Sequence, residues 1–276
     1  MHDGSMTLDM EKPSMKFGTP SLIEFHSLEE NVRFCSKCGL SFFEMNLTFP
    51  WFQSDKIDPS KMVALKEEYG IDYTLHFHDQ LNPFDFSPEL RRGSLDNVLY
   101  GIELAYKVGA KRITMHMING TYSAVNGVKI FAYDVCEEEY LDHVREFVEV
   151  CDRMMNGLDL IYGIENTKGF MPYHKDAIEL LLQNPHFGLT YDIGHNAKAS
   201  EDDEAFVMKH ADRVKHFHIH DVNPKANHIA LGTGIIDMDR CLAMLREFDC
   251  TTVIEVKESK ALFNSIEFLK SHGFSI

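Results

Sequence analysis

Three histidines alternate along Lys215-His216-Phe217-His218-Ile219-His220-Asp221. With a strand's period of two, His216, His218 and His220 share one face, and Lys215, Phe217 and Ile219 share the other. A buried polar group left unpaired costs about 1–3 kcal/mol, so a face of imidazoles needs either hydrogen-bond partners or a cation. Neutral imidazole and carboxylate are the usual ligands of catalytic divalent ions. A cation at the end of this strand would need carboxylates at the ends of other strands, and the chain supplies them. Glu165, Asp192, His218 and Glu255, from four successive strand-like runs, would form an O₃N donor set. That set suits Mn²⁺ or Zn²⁺, with Mg²⁺ and Co²⁺ also compatible. His78 and His116 could complete a second site that shares Glu165. His195 and His228 could hold a further ion or contact substrate. Glu44 and His220 are further substrate-contact candidates.

Those residues must be carried by elements that bring them together. Met15–Thr19 reads as a first strand, and Ser27-Leu28-Glu29-Glu30 as a capping box opening a helix that Gly39 closes. Leu40–Leu47 is a second strand bearing Glu44. Asp58-Pro59 starts a helix that Gly70 ends, and Ile71–His78 is the third strand. A helix from Ser94 to Gly109 leads to a fourth strand, Lys111–Met117. A long loop with Asn119-Gly120 and Asn126-Gly127 follows, then an amphipathic helix from Cys136 to about Asn156. Strand five is Leu158–Glu165, followed by a helix around Lys175–Leu182. Strand six is Phe187–Asp192, followed by a helix from about Ser200. The histidine stretch is strand seven, with a helix at Met238–Phe248, and Thr251–Val256 is strand eight before a last helix ending near Gly273.

Eight alternations without a linker predict a (β/α)₈ TIM barrel over residues 15–276, behind a tail at 1–14. A doubly wound sheet would place a glycine-rich phosphate turn after strand one, and Gly18-Thr19-Pro20 is not one. In such barrels chemistry sits at the C-terminal strand ends, where Glu44, His78, His116, Glu165, Asp192, His218 and Glu255 all fall. It is their register across strands that carries the signal.

Composition narrows the function classes. The net charge of −16 argues against a broad basic face for nucleic acid, although bound cations can reverse the local field. With 44% hydrophobic residues, the chain can bury a large core, and no apolar run is long enough to span a bilayer. Without a signal-peptide pattern, a cytoplasmic location is expected. Cys35 and Cys38 form a lone C-x-x-C in a helical pattern; with no second pair, buried reduced thiols are expected.

At this point the chain resembles the xylose isomerase-like TIM barrels, the superfamily of sugar (phosphate) isomerases and epimerases and of endonuclease IV. The resemblance rests on Ile164-Glu165-Asn166-Thr167, Tyr191-Asp192-Ile193-Gly194-His195, Phe217-His218-Ile219-His220-Asp221, His228 to Gly234, and Ile254-Glu255. It implies that one ion on the Glu165, Asp192, His218, Glu255 quartet grips two adjacent oxygens of a small sugar. Glu165 and Glu255 then move protons through a metal-stabilised enediolate. By the same resemblance alone, Lys225, in the loop after His218, is a further substrate-contact candidate. The endonuclease IV branch implies an alternative, a metal-dependent phosphodiesterase at abasic sites in DNA. It uses ligands matched here by His78, His116, Glu165, Asp192, His195, His218, His228 and Glu255. The chain departs from that pattern at Ala226, which stands where the endonuclease has an aspartate, and alanine cannot ligate. The expected reaction is therefore isomerisation or epimerisation of a small sugar or sugar derivative, with the oligomeric state open.

Overall fold

The computed structural model describes residues 15–199 and 203–276. The expected tail at 1–14 and the expected helix start near Ser200 lie outside those residues. Barrel strands and helices alternate along the chain: β1 (Lys16–Pro20), α1 (Leu28–Lys37), β2 (Phe42–Asn46), α2 (Pro59–Tyr69), β3 (Asp72–His76), α3 (Pro88–Val108) and β4 (Arg112–His116). A hairpin follows, β5 (Tyr122–Val125) and β6 (Val128–Phe131), then α4 (Ala132–Val135) and α5 (Glu137–Met155). The second half holds β7 (Ile161–Glu165), α6 (Pro172–Leu181), β8 (Phe187–Asp192), α7 (Ile193–Lys198), α8 (Glu204–Lys209), β9 (Val214–Ile219), α9 (Met238–Leu245), β10 (Thr251–Ile254) and α10 (Ser259–Ser271).

Eight parallel strands close in the order β1-β10-β9-β8-β7-β4-β3-β2, a (β/α)₈ barrel. Alternation along each strand divides its side chains between two environments. Phe43, Leu75, Ile113, Ile164, Leu189 and Phe217 are fully buried in the apolar layer under the helices. Burying each such side chain contributes about 1.5–3 kcal/mol, so this layer holds the helices onto the barrel. The other parity faces the barrel axis and is largely polar, with Phe42 and Val253 among its apolar members. Thr114 and Thr190 hydrogen-bond at 3.1 Å from strands on either side of β7. Gly163 on β7 permits this, because a Cβ there would stand 2.4 Å from the Thr190 Oγ1.

Local signals set several element ends. Ser27 accepts from the Glu30 backbone N–H at 3.3 Å, capping α1, while Glu30 returns to the His26 N–H at 3.1 Å. Gly70, at φ 66°, closes α2 in the left-handed region that suits glycine. Several elements differ from the sequence expectation, and three of the differences matter most. Helix α3 begins at Pro88 rather than Ser94, using proline's fixed φ at its first turn. The expected long loop contains the β5–β6 hairpin, turned by Asn126 and Gly127 at φ 51° and 82°. Strand β3 ends at His76, two residues before the expected His78, and this shift changes the site. The cysteines of the described residues are free, and Cys35 and Cys38 are buried as expected. No helix among the described residues is long and apolar enough to cross a membrane.

Candidate metal centre

The C-terminal ends of β7, β8 and β9, with the residue just after β10, bring four side chains together. Ligand atoms of Glu165, Asp192, His218 and Glu255 all lie within 4.8 Å of one another, and all four residues are buried. Parallel register produces this, since Asp192 pairs with His218 across β8–β9 and His116 with Glu165 across β4–β7. Asn166 fixes the height of Asp192 by a reciprocal pair: its Nδ2 donates to the Asp192 carbonyl at 2.9 Å, and its Oδ1 accepts from the Asp192 N–H at 2.8 Å.

Imidazoles surround the carboxylates. His218 Nδ1 stands 3.1 Å from Glu165 Oε1 and 3.3 Å from Glu255 Oε2. His76 Nε2 and His116 Nε2 each lie 3.1 Å from Glu165 Oε2. His195 Nδ1 lies 3.4 Å from Glu165 Oε1 and 3.3 Å from Asp192 Oδ2. His220 Nε2 is 3.2 Å from Asp192 Oδ1, and its Nδ1 accepts from the His228 backbone N–H at 3.2 Å. His228 Nδ1 bonds the Glu255 carbonyl at 3.0 Å. Outside the ring of histidines, the half-exposed Lys257 places Nζ 2.6 Å from Glu255 Oε1.

These contacts set the charge states of the metal-free site. Burial alone would raise Glu165 and Glu255. The charges of His218 and His116 instead hold Glu165 well below the carboxylate range, and Lys257 and His218 do the same for Glu255. Burial opposes charging of the histidines as well. Against it, Glu165 raises His76 to about 9, and Asp192 and Glu165 raise His195 to about 10. Glu165 and Glu44 raise His218 well above its ordinary value. His228 goes the other way, lowered to about 4 by burial that Glu255 only partly offsets.

The donor set fits a divalent cation. Asp192 Oδ2 and Glu255 Oε2 are buried without a hydrogen-bond partner, although both point among ligating groups. His195 and His218, each 3.3 Å away, offset part of the cost of burying those oxygens, and a cation at the centre of the quartet would offset it more fully. Three carboxylates and one imidazole suit a hard or borderline ion.

Three expected residues fall elsewhere. His78 is exposed and its Nδ1 accepts from the Gln80 backbone N–H at 3.1 Å, turned into a depression lined by Leu47, Gln53 and Asn97. It is His76 that reaches Glu165, because β3 ends there and the chain then leaves the barrel axis. Lys225 is exposed in its loop, with its backbone N–H donating to Asn223 Oδ1, outside the residues that line the adjoining cavity. Glu44 lies beneath His218 inside the barrel rather than at the rim, as described below. His76, Asn166 and Lys257 went unassigned from sequence. A signal for His76 existed: Thr74-Leu75-His76 repeats the pattern of Thr114-Met115-His116 on the neighbouring strand.

A cavity of about 840 Å³ opens beside the centre, bordered by His116, His195, Thr167, Lys168, Asn119 and Asn227. Its size admits a small molecule, and it reaches the centre through His116 and His195, which stand 3.1 and 3.4 Å from Glu165.

The sequence profile of the xylose isomerase-like TIM barrel family matches residues 32–272. Among solved structures, a D-tagatose 3-epimerase-like protein superposes with a TM-score of 0.76 at 21% identity, covering 94% of this chain and 97% of its own. The 3-keto-D-glucoside 4-epimerase of E. coli superposes with a TM-score of 0.74 at 18% identity, covering 94% and 100%. At such identities the likeness establishes the shared fold. The protein MJ1614 of Methanocaldococcus jannaschii is 27% identical over 199 residues, 71% of this chain and 74% of that protein.

Proposed function

The chain belongs to the xylose isomerase-like TIM barrel family, and from that premise we propose that it is a metal-dependent isomerase or epimerase of a small sugar or sugar derivative. The observation that carries the reading is the convergence of ligand atoms of Glu165, Asp192, His218 and Glu255 within 4.8 Å, with an open cavity reaching the neighbouring His116 and His195. Sugar epimerases among the structural neighbours support it. Those four residues would hold Mn²⁺ or Zn²⁺. When bound, the ion would act as a Lewis acid that favours negative charge on adjacent sugar oxygens.

The protein's own part is proton transfer at carbon. Glu165 and Glu255 are held ionised by His218, His116 and Lys257, so either can accept a proton from a carbon beside the carbonyl. In an isomerisation the same glutamate returns that proton to the neighbouring carbon. In an epimerisation the other glutamate first takes a proton from solvent, for Glu255 by way of the Lys257 ammonium, and delivers it to the opposite face. Lys257, on the solvent side of Glu255, gives that residue the shorter path for re-equilibrating with water. His195 and His220 brace Asp192, and Asn166 holds the strand end that carries it.

Changing Glu165 or Glu255 to Gln keeps the shape and one oxygen ligand but removes the titrating group. The expected outcome on a ketose panel is Mn²⁺ still bound, with turnover lower by about 10²–10⁴-fold. Glutamine variants with undiminished turnover would refute the assignment.

One observation favours a second reading. His76 and His116 both converge on Glu165 Oε2, opposite the side taken by His218, which suits a second ion as in a metallophosphodiesterase acting on abasic DNA. Elemental analysis separates the two: one ion per chain supports the isomerase, and a multinuclear centre with cleavage of abasic DNA supports the phosphodiesterase.

A further inference from the structure

Beneath the candidate metal centre lies a second polar layer that the proposed reaction does not use. Glu44 on β2 is 1% exposed. Its Oε1 stands 3.0 Å from His218 Nε2, the nitrogen on the far side of the ring from Glu165 and Glu255. Its Oε2 accepts from Thr74 Oγ1 at 3.0 Å and lies 3.2 Å from His216 Nε2. The His216 ring is closed in turn by Thr251 Oγ1, 2.6 Å from its Nδ1. Four strands thus contribute to one buried network ending on the back of His218: β2, β3, β9 and β10.

A purely structural barrel layer has no need of such groups. Burying a carboxylate among imidazoles carries a desolvation cost that aliphatic side chains of similar volume avoid. Barrel interiors are ordinarily filled by branched apolar residues. What the network does accomplish is to distinguish the two nitrogens of His218. Both ring nitrogens face carboxylates, but only Nδ1 points into the quartet. A cation there takes Nδ1 and leaves the ring hydrogen on Nε2, 3.0 Å from Glu44 in an ion-pair contact. Nδ1, which faces Glu165 and Glu255, is then the nitrogen that gives up its proton and offers a lone pair to the cation.

From this juxtaposition we infer that Glu44, braced by Thr74 and by the His216–Thr251 pair, is a positioning residue: it fixes the tautomer and ring orientation in which His218 ligates a cation through Nδ1. Carboxylates behind metal-binding histidines act in this way in general, and their loss weakens metal affinity by about 10–100-fold. The inference rests on the reading of the quartet as a cation site and not on which reaction follows. A protein that binds Mn²⁺ normally yet converts no sugar leaves it standing.

The test compares wild type with Glu44→Gln by calorimetric titration with Mn²⁺ alone. Protons and cations compete for Nδ1, so affinities are taken over a pH series below about 8.5 with proton release measured at each point, and the fitted pH-independent limit, the plateau, is compared. The expected result is a plateau affinity about 10–100-fold weaker in Glu44→Gln, with a smaller loss in the same direction for Thr251→Val. In parallel, ¹⁵N spectra of histidine-labelled wild type loaded with Zn²⁺ should show His218 with a protonated Nε2 and a metal-bound Nδ1. This second measurement does not depend on the variants folding. An unchanged plateau affinity in folded Glu44→Gln, or a His218 protonated at Nδ1 in the Zn²⁺-loaded protein, would overturn the inference. A merely structural Glu44 would lower thermal stability equally with and without metal and leave the plateau unmoved.

Discussion

Adding a divalent cation to the metal-free protein should release protons, and the structure sets how many. In the absence of metal, His76 is raised to about 9, His195 to about 10, and His218 well above 6.5, all by the same carboxylates. At pH 7 all three therefore carry a proton. Removing one from a group at about 10 costs about 4 kcal/mol at pH 7, three pH units at about 1.36 kcal/mol each. The proton on His218 Nδ1 must leave for ligation. Those on His76 and His195 loosen as the cation neutralises Glu165 and Asp192. The sign follows from the raised values: protons bind the metal-free form, so acid favours that form and affinity grows as pH rises. Between one and three protons should be released per ion at pH 7. Apparent affinity should rise at least tenfold per unit from pH 6 to 8, levelling only near the folded values of about 9 and 10. Calorimetry in two buffers of different ionisation enthalpy reads the proton count directly. Tight binding with no net proton release, and an affinity flat from pH 6 to 9, would refute the charge assignment of the site.

Three further outcomes follow from particular contacts. Gly194→Ala would place a Cβ 2.1 Å from the His220 ring, so it should destabilise the protein by about 1–3 kcal/mol in chemical denaturation and weaken Mn²⁺ binding by displacing that ring from Asp192. His76→Ala should disturb metal binding or turnover, whereas His78→Ala should leave both within about twofold; calorimetry and kinetics on the pair check which histidine serves the site. His174, on the first turn of α6, is lowered to about 4 by burial, its Nδ1 accepting from Met171 N–H and its Nε2 bonding the Ile118 carbonyl. Its protonation favours the unfolded chain, so up to about 3 kcal/mol of stability should be lost as pH falls from about 6.5 to 4. Urea unfolding of His174→Gln should show a flatter acid limb than wild type.

The fold was legible because its signals are local and repeated. Ser27 with Glu30, Pro59 with Gly70, and the apolar parity of each strand mark where an element starts, ends and faces. The quartet was legible for a related reason: Glu165, Asp192 and His218 end or nearly end their strands, so a barrel's parallel register brings them to one rim. What failed was the depth of residues along the axis. His76 and His78 share a parity, so alternation alone could not choose between them, and the choice turned on where β3 stops. Glu44 also faces inward, but its level relative to His218 depends on strand tilt and stagger, which no single strand encodes. Lys257 reaches Glu255 from beyond β10, in a turn where the period of two no longer applies.

The most direct test of the central claim is solvent exchange. Metal-loaded wild-type protein is incubated in D₂O with a panel of ketoses and their phosphate esters, and each sugar is read by mass spectrometry and proton NMR. The account predicts deuterium on a carbon adjacent to the carbonyl of at least one sugar, abolished when the cation is removed and strongly slowed in Glu165→Gln and Glu255→Gln. A metal-loaded protein that cleaves abasic DNA yet exchanges no carbon-bound proton of any sugar would contradict it.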